Sequence, residues 1–298
     1  MRARIPATSS LSLLLLAAGV LAACGKPPPP EGTTVEVAIL STTDLHANIL
    51  SYDYFKLAAN QTFGLERTAT LVTQARAEFP NAVLVDDGDN IQGTVLGDWQ
   101  AVVEPVACSD RLAIHKVMNA LGFDAGNVGN HEFNYGLPYL SQVTNRGFQV
   151  MGLAAPNCAG PDYPLVLANV RSAAVDQPIF PAYKLLPRTF SATGPDGSSR
   201  QVELEVGVIG FTPPQIMAWD KRWLDGKVYA SGVVESASEY VPRMRAEGAD
   251  LVVALAHSGV DPGPQSAAME NASWHLSQVA GIDALVLGHS HDVFPNPG

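Results

Sequence analysis

Histidine, aspartate and asparagine side chains recur in five short blocks of this 298-residue chain. The blocks are Asp44-Leu45-His46, Gly88-Asp89, Gly129-Asn130-His131-Glu132, His257 and Gly288-His289-Ser290-His291, and they contain five of the seven histidines. Imidazole, carboxylate and amide oxygen together suit divalent metals such as Zn, Mn or Co, and the blocks contain no thiolate that would favour a softer ion. The pattern therefore predicts a divalent-metal site.

The number of candidate ligands bears on the number of metal ions. The predicted ligands are Asp44, His46, Asp89, Asn130, His257, His289 and His291. Seven ligands are too many for one four-coordinate ion, but they suit two ions that share a carboxylate. We interpret Asp89 as the bridging ligand, since it is central in the series and follows Gly88. His115 and His275 lie inside helix candidates and are interpreted as structural or surface residues.

The metal-type residues must be positioned by regular elements, and short apolar runs supply them. Strand-length runs occur at 35–40, 82–85, 148–153, 202–209, 251–255 and 284–287, and helix candidates at 65–78, 111–121, 234–247 and 264–279. This alternation predicts an α/β fold. The segments 179–190 and 202–209, separated by Gly194-Pro195-Asp196-Gly197, predict an antiparallel hairpin.

Four of the blocks follow the predicted strands, and Gly129-Asn130-His131-Glu132 follows a short segment at 123–125. The functional prediction depends on this placement. The Asp-x-His block alone is a weak signal, because such a sequence after a strand usually forms a turn or a cap. The Gly-Asn-His-Glu and Gly-His-Ser-His blocks are more specific, because each puts ligand-type side chains in a short loop that begins with glycine. Residues at the ends of neighbouring strands in an open α/β sheet converge on one crevice, where such folds bind ligands. We therefore expect the blocks to meet in one site, within a single domain of residues 35–298.

The composition limits the class of partner. With 47% hydrophobic and 16% charged residues the chain can bury a sizeable core, and its net charge of −11 argues against binding a nucleic-acid polymer. Small anionic substrates remain compatible, because bound metal ions can reverse the local field.

The first residues predict export. Residues 1–23 read as a signal peptide, and Leu21-Ala22-Ala23-Cys24 resembles a lipobox in which Cys24 becomes the lipidated first residue. Residues 24–34, with four consecutive prolines, read as a tether. The expected location is the periplasm or cell envelope, anchored to the membrane. Cys108 and Cys158 could form a disulfide there or remain free thiols.

Longer stretches of the chain carry a resemblance. They are residues 42–48, 51–55, 129–136, 213–217 and Trp219-Asp220-Lys221. Together with the five blocks they resemble the calcineurin-like metallophosphoesterase superfamily and, within it, the bacterial 5′-nucleotidase group, most closely its enzymes for 2′,3′-cyclic nucleotides. The resemblance covers nearly all of residues 35–295.

The resemblance implies a four-layer α/β/β/α sandwich and a division of the ligands. One metal would be held by Asp44, His46, Asp89 and His291, and the other by Asp89, Asn130, His257 and His289. His131 would act on the substrate. Relatives place an Asp three residues after this histidine to orient it, whereas this chain has Asn134, which cannot stabilise a protonated imidazole as a carboxylate does.

The implied activity is hydrolysis of 2′,3′-cyclic nucleotides and 3′-nucleotides, used for nucleotide scavenging, by a monomer with two divalent ions. Alternatives are a 5′-nucleotidase or nucleotide-sugar hydrolase, or a non-catalytic metal- or nucleotide-binding lipoprotein. Family members continue past the Gly-His-Ser-His block with further strands and a base-binding domain. We therefore expect the sequence to be truncated before the last strands of its catalytic domain.

Overall fold

A computed structural model describes residues 29–293, and the predicted signal peptide and Cys24 lie outside these residues. The strands are β1 Ala38–Thr42, β2 Tyr52–Asp53, β3 Ala58–Ala59, β4 Ala82–Asp86, β5 Ala125–Asn127, β6 Leu165–Val166, β7 Val170–Ser172, β8 Tyr183–Thr193, β9 Ser199–Phe211, β10 Val228–Ala230, β11 Leu251–Ala256 and β12 Ala284–Leu287. The helices are α1 Leu65–Glu78, α2 Val95–Asp98, α3 Ala113–Leu121, α4 Leu137–Thr144, α5 Ile216–Trp219, α6 Lys221–Leu224, α7 Val233–Ala246 and α8 Ser273–Leu276.

Two four-stranded sheets form the centre of the fold. The first has the strand order β1-β4-β5-β6, and all its neighbouring strands are parallel. The second has the order β12-β11-β9-β8, with β8 antiparallel to β9. The predicted β8–β9 hairpin is therefore present. Pro187 is tolerated in β8 because this is an edge strand, where a missing backbone N–H need not break a ladder.

The central strands are apolar on both faces because each sheet is covered on both sides. In β4, Val83 and Val85 face a cluster between the two sheets, whereas Leu84 belongs to the core under α1, α3 and α4. In β11, Val253 contributes to the cluster between the sheets and Val252 packs in the core beneath α7. These three apolar layers separate four layers of secondary structure, so the expected α/β/β/α sandwich is confirmed.

Local sequence fixes the first long helix. The prediction of a helix over 65–78 matches α1, whose first turn contains Glu66 and last turn Arg76. These charges lie at the ends of the helix dipole where each is favourable. Leu65 and Val72 form its buried face.

Two predicted elements are wrong. Residues 148–153 do not form a strand, since Gln149 and Gly152 have φ values of 52° and 79° and turn the chain. The fourth strand of the first sheet is instead β6. The predicted helix at 264–279 shrinks to α8, because side chains such as Ser258, which donates to the Glu270 carbonyl at 2.8 Å, hold the preceding residues as a loop.

Cys108 and Cys158 form a disulfide with a Cα–Cα distance of 4.5 Å, which resolves the two alternatives left by the sequence. His115 is buried in α3, and His275 bonds the Gly263 carbonyl at 2.7 Å, in keeping with structural roles. Within residues 29–293, none of the helices combines the length and apolar character needed to cross a membrane.

Candidate metal centre

The five blocks meet at one edge of the two sheets. Asp44, Asp89 and Asn130 follow β1, β4 and β5 of the first sheet, and His257 and His289 follow β11 and β12 of the second. These strands are parallel to their neighbours within each sheet, so their carboxyl ends lie on a common edge. The architecture thus brings loops from both sheets to one crevice.

One group of side chains combines Asp44 with two histidines. His291 Nε2 lies 3.1 Å from Asp44 Oδ1, and His46 Nε2 lies 3.8 Å from the same oxygen. The two imidazole nitrogens are 3.3 Å apart. One ligand atom from each of the three residues fits within a common 4.8 Å span, which is compatible with a single metal ion.

Asp44 and Asp89 meet a buried histidine in a second group. His257 Nε2 lies 2.8 Å from Asp89 Oδ2 and 3.7 Å from Asp44 Oδ1. Asp89 also belongs to a third group, with His46 and His131. Asp44 and Asp89 thus each belong to two of the three groups, and the bridging role of Asp89 stays a prediction.

Asn130 and His289 stand at the margin of these groups. The Oδ1 atom of Asn130 is buried and has no hydrogen-bond partner among the described residues. His289 belongs to none of the three groups of His, Cys, Asp and Glu found within residues 29–293, although its ring centroid lies 5.4 Å from that of His257. Its Nε2 lies 2.8 Å from Glu270 Oε1, which leaves Nδ1 as the nitrogen available for a metal.

The donor atoms fit divalent cations. Asn130 Oδ1 is buried without a hydrogen-bond partner in the described chain, a costly arrangement unless a ligand satisfies it. Asp44 Oδ1 and His257 Nε2 are also buried, and each contacts another ligand-type atom, His291 Nε2 and Asp89 Oδ2 respectively. Backbone carbonyls fix the imidazole tautomers: His257 Nδ1 lies 2.8 Å from the Asp87 oxygen, and His46 Nδ1 lies 2.8 Å from the Gln92 oxygen. Each Nδ1 therefore carries a proton, so Nε2 is the nitrogen left to bind a metal, which on His257 would replace the proton shared with Asp89.

The electrostatics also favour a cation. Burial opposes charge on His257, but the carboxylates of Asp89 and Asp87 outweigh this effect and raise the pKa of His257 to about 10. Burial raises the pKa of Asp86 to about 6, and burial together with the Asp89 charge raises the pKa of Glu132 to about 7. The raised pKa of His257 means that its carboxylate neighbours favour a positive charge in this dry site, which a bound cation would supply.

Strained backbone accompanies the ligand positions. Asp44, His46, Asp89, His289 and His291 have φ values of 53°, 47°, 59°, 73° and 55°, in the left-handed region that non-glycine residues seldom adopt. Such strain concentrates at functional sites, because the surrounding structure must over-determine it. Gly88 also has a positive φ, of 95°, and a Cβ there would collide with the Gly129 backbone. Close approach of these two loops therefore requires glycine at position 88.

His131 is placed at the open side of the cluster. Its Nε2 lies 4.0 Å from Asp89 Oδ2 and its side chain is 36% exposed, so it can reach both the metal-type ligands and an incoming substrate. Its Nδ1 lies 2.7 Å from Asn134 Oδ1, and Asn134 Nδ2 donates to Asp220 Oδ2 at 3.0 Å. Burial raises the pKa of Asp220, and the hydrogen bond from Asn134 opposes this rise.

Three acidic residues support the site without having been predicted to play a role in it. Glu132 accepts the backbone N–H groups of Gly129, Asp89 and Asn90 at 2.7, 2.9 and 2.5 Å, which ties the two ligand loops together. Asp220 stands behind Asn134, and Glu270 behind His289. Glu132 and Asp220 lie within stretches that carried the resemblance, whereas no pattern in the sequence marks Glu270.

Comparisons with known proteins point to phosphoesterases. The family model described as calcineurin-like phosphoesterase matches residues 37–293. The chain is 42% identical over 97% of its length to a 2′,3′-cyclic-nucleotide 2′-phosphodiesterase/3′-nucleotidase from Salmonella typhimurium, of which it covers 40%. A protein of the same description from Yersinia enterocolitica is 42% identical over 89% of the chain, which covers 38% of it.

A solved structure supports the fold assignment. The crystal structure of the calcineurin-like phosphoesterase YfkN from Bacillus subtilis superposes with a TM-score of 0.78 at 41% identity, covering 88% of this chain and 74% of that one. The chain spans about 40% of the length of the Salmonella relative, so the activity of that whole protein does not transfer directly.

Proposed function

The chain belongs to the calcineurin-like phosphoesterase family, and on this basis we propose that it hydrolyses 2′,3′-cyclic nucleotides and 3′-nucleotides with two divalent metal ions. The observation that carries the proposal is that ligand-type side chains from distant parts of the chain converge in three overlapping groups at one sheet edge, namely Asp44, His46, Asp89, His131, His257 and His291. The names of the 42%-identical relatives support the choice of substrate.

The ligand assignment is the one that the family resemblance implies. Asp44, His46 and His291, which form one of the three groups of side chains, would hold one ion together with Asp89. Asn130, His257 and His289 would hold the other ion together with Asp89. Zn, Mn and Co are the metals that suit this mixture of imidazole, carboxylate and amide donors. When bound, two such ions supply Lewis-acid chemistry, since they neutralise phosphoryl oxygens and lower the pKa of water.

His131 is the residue best placed to act on the substrate. Its side chain is partly exposed and its Nε2 lies 4.0 Å from Asp89 Oδ2, so it could reach a phosphoryl group bound beside Asp89. In hydrolysis of the cyclic ester, a bond forms between water oxygen and phosphorus while the bond from phosphorus to the ribose 2′ oxygen breaks. In its doubly protonated form, with Nδ1–H donating to Asn134, His131 would deliver the Nε2 proton to that departing oxygen, and the attacking water would release one proton to solvent. A second hydrolysis of the resulting 3′-nucleotide would release the nucleoside and phosphate.

Product analysis on three substrates tests the reaction. We expect the purified metal-loaded protein to hydrolyse 2′,3′-cyclic AMP and 3′-AMP faster than 5′-AMP, with products resolved by chromatography. Preference for 5′-AMP would replace the proposal by a 5′-nucleotidase activity. Bound metal without hydrolysis of any of the three would support the non-catalytic alternative.

The bridging role of Asp89 can be tested separately by metal analysis. Asp89→Ala should abolish hydrolysis and lower bound divalent metal from about two ions per chain to one or none. The control is Asp110→Ala, because the exposed Asp110 pairs with Lys116 away from the site and should leave metal content unchanged. A full metal complement in Asp89→Ala would reject the bridge.

Export and membrane attachment form a second part of the proposal. The signal-like residues 1–23 and the lipobox at Cys24 support a lipid-anchored protein of the periplasm or cell envelope. A disulfide between Cys108 and Cys158 is compatible with such a compartment, since disulfides persist in oxidising surroundings.

A further inference from the structure

The residue behind Asn134 suggests how this chain compensates for the amide in place of a carboxylate. Asp220 is only 5% exposed and lies between α5 and α6, 86 residues away from Asn134 in the chain. In the described chain its carboxylate has one hydrogen-bond partner, the side-chain amide of Asn134, at 3.0 Å.

An ionised carboxylate only accepts hydrogen bonds, and this decides which way the Asn134 amide points. The amide atom next to Asp220 Oδ2 must be the NH₂ group, because an oxygen there would face another oxygen. The amide oxygen is then directed at His131 Nδ1, at 2.7 Å. Nδ1 must carry a proton in order to donate to this oxygen. The other ring nitrogen, Nε2, is then the one directed towards the site.

The same region also fixes the backbone of Asn134. Trp223 of α6 donates its indole N–H to the Asn134 carbonyl oxygen at 3.0 Å, and its ring would lie 3.0 Å from a Cβ added at Gly136. The segment around α6 therefore contacts Asn134 twice, through its carbonyl and through its side-chain amide. Only the contact with Asp220 bears on amide orientation.

We propose that Asp220 is a positioning residue, which orients the Asn134 amide and thereby sets the tautomer and ring orientation of His131. This inference rests on the proposed function for its kinetic consequences, but the geometry of the three side chains is independent of the substrate. A carboxylate three residues after the histidine would make Asp220 unnecessary. The chain thus places its carboxylate one hydrogen bond further from the imidazole.

Exchange of the two side chains gives the sharpest test. Asp220→Ala frees the amide to flip and should lower kcat roughly 10- to 100-fold, with KM and metal content unchanged, because a misplaced catalytic group costs about this much. Asn134→Asp places two carboxylates 3.0 Å apart and should also lower kcat at least about tenfold. The double variant Asn134→Asp with Asp220→Asn restores a carboxylate–amide pair and should recover most of the lost kcat.

Two further variants separate positioning from general loss of structure. Asp220→Asn can still accept from Asn134 and should lose less activity than Asp220→Ala. Trp223→Phe removes the bond to the Asn134 carbonyl but not the bond to its amide, so kcat should stay within about threefold of the wild type. Additive losses in the double variant, or Asn134→Asp with wild-type kcat, would overturn the proposal.

A measurement without substrate keeps the inference independent of the proposed function. Nitrogen-15 NMR of labelled imidazoles distinguishes the Nδ1–H from the Nε2–H tautomer. We expect His131 to be in the Nδ1–H form in the wild type and in Trp223→Phe, and to become mixed in Asp220→Ala. An unchanged tautomer in Asp220→Ala would refute the positioning role even if the enzyme hydrolysed none of the three nucleotides.

Discussion

Buried His115 should make the fold sensitive to mild acid. This residue of α3 is 3% exposed, its Nδ1 has no hydrogen-bond partner among the described side chains, and burial lowers its pKa from 6.5 to about 4. At pH values between these two pKa values, the unfolded chain binds a proton at His115 that the folded chain excludes. The associated stability is therefore complete above pH 6.5 and is lost as the pH falls towards 4.

The magnitude follows from the size of the pKa difference. Linkage between a folded pKa of about 4 and an ordinary value of 6.5 reduces the free energy of unfolding by about 2 kcal/mol between pH 7 and pH 5. His115→Gln has no group that titrates in this range. The acid-induced loss of stability should accordingly be about 2 kcal/mol smaller in the variant, whatever its stability at pH 7.

Urea unfolding at pH 7 and pH 5, followed by circular dichroism, measures this difference. The protein should be kept metal-free with a chelator at both pH values, so that release of metal does not contribute. His275→Gln is the matched control, because His275 is only partly buried. Equal losses of stability in the wild type and His115→Gln would show that His115 does not couple folding to pH.

Three other perturbations test separate features. Replacing Cys108 and Cys158 by Ser opens a loop with a sequence separation of 50 and should lower the free energy of unfolding by up to roughly 4 kcal/mol in denaturant titrations. A change below about 1 kcal/mol would contradict this expectation. Glu270→Gln removes the carboxylate next to His289 and should weaken binding of one divalent ion roughly tenfold in a competition titration. An unchanged affinity would exclude a role for Glu270 in orienting the His289 imidazole. Cys24→Ser should move the protein from the membrane to the soluble fraction after export, with the amino terminus verified by mass spectrometry, and a wild-type protein that is entirely soluble would refute the lipobox.

Local pattern was sufficient for much of the fold. Helix α1 lies where the sequence predicts it, and β4, β11 and β12 match predicted apolar runs within a residue or two. These segments are long enough, or apolar enough, for their own periodicity to report the burial of their faces. The β8–β9 hairpin was likewise predictable, because its turn residues separate two long strands.

The chemistry of the site was also largely visible in the sequence, because strand ends and residue types are local properties. The structure brings Asp44, His46, Asp89, His257 and His291 into overlapping groups, as the convergence argument expects. It leaves His289 at the margin of these groups, where its Nε2 is engaged by Glu270. The division of ligands between two ions stays a prediction that metal analysis can test.

Tertiary structure alone decided the features that depend on partners distant in the chain. Strand β6 has only two residues, too few for a periodic pattern, and it exists because it pairs with β5. The loop before α8 is not helical because side-chain hydrogen bonds from Ser258 compete with helix formation. Asp220 supports Asn134 across 86 residues of sequence. Residue type and periodicity determine what a segment can do, but the partner that orients each side chain is known only once the sheets and helices have packed.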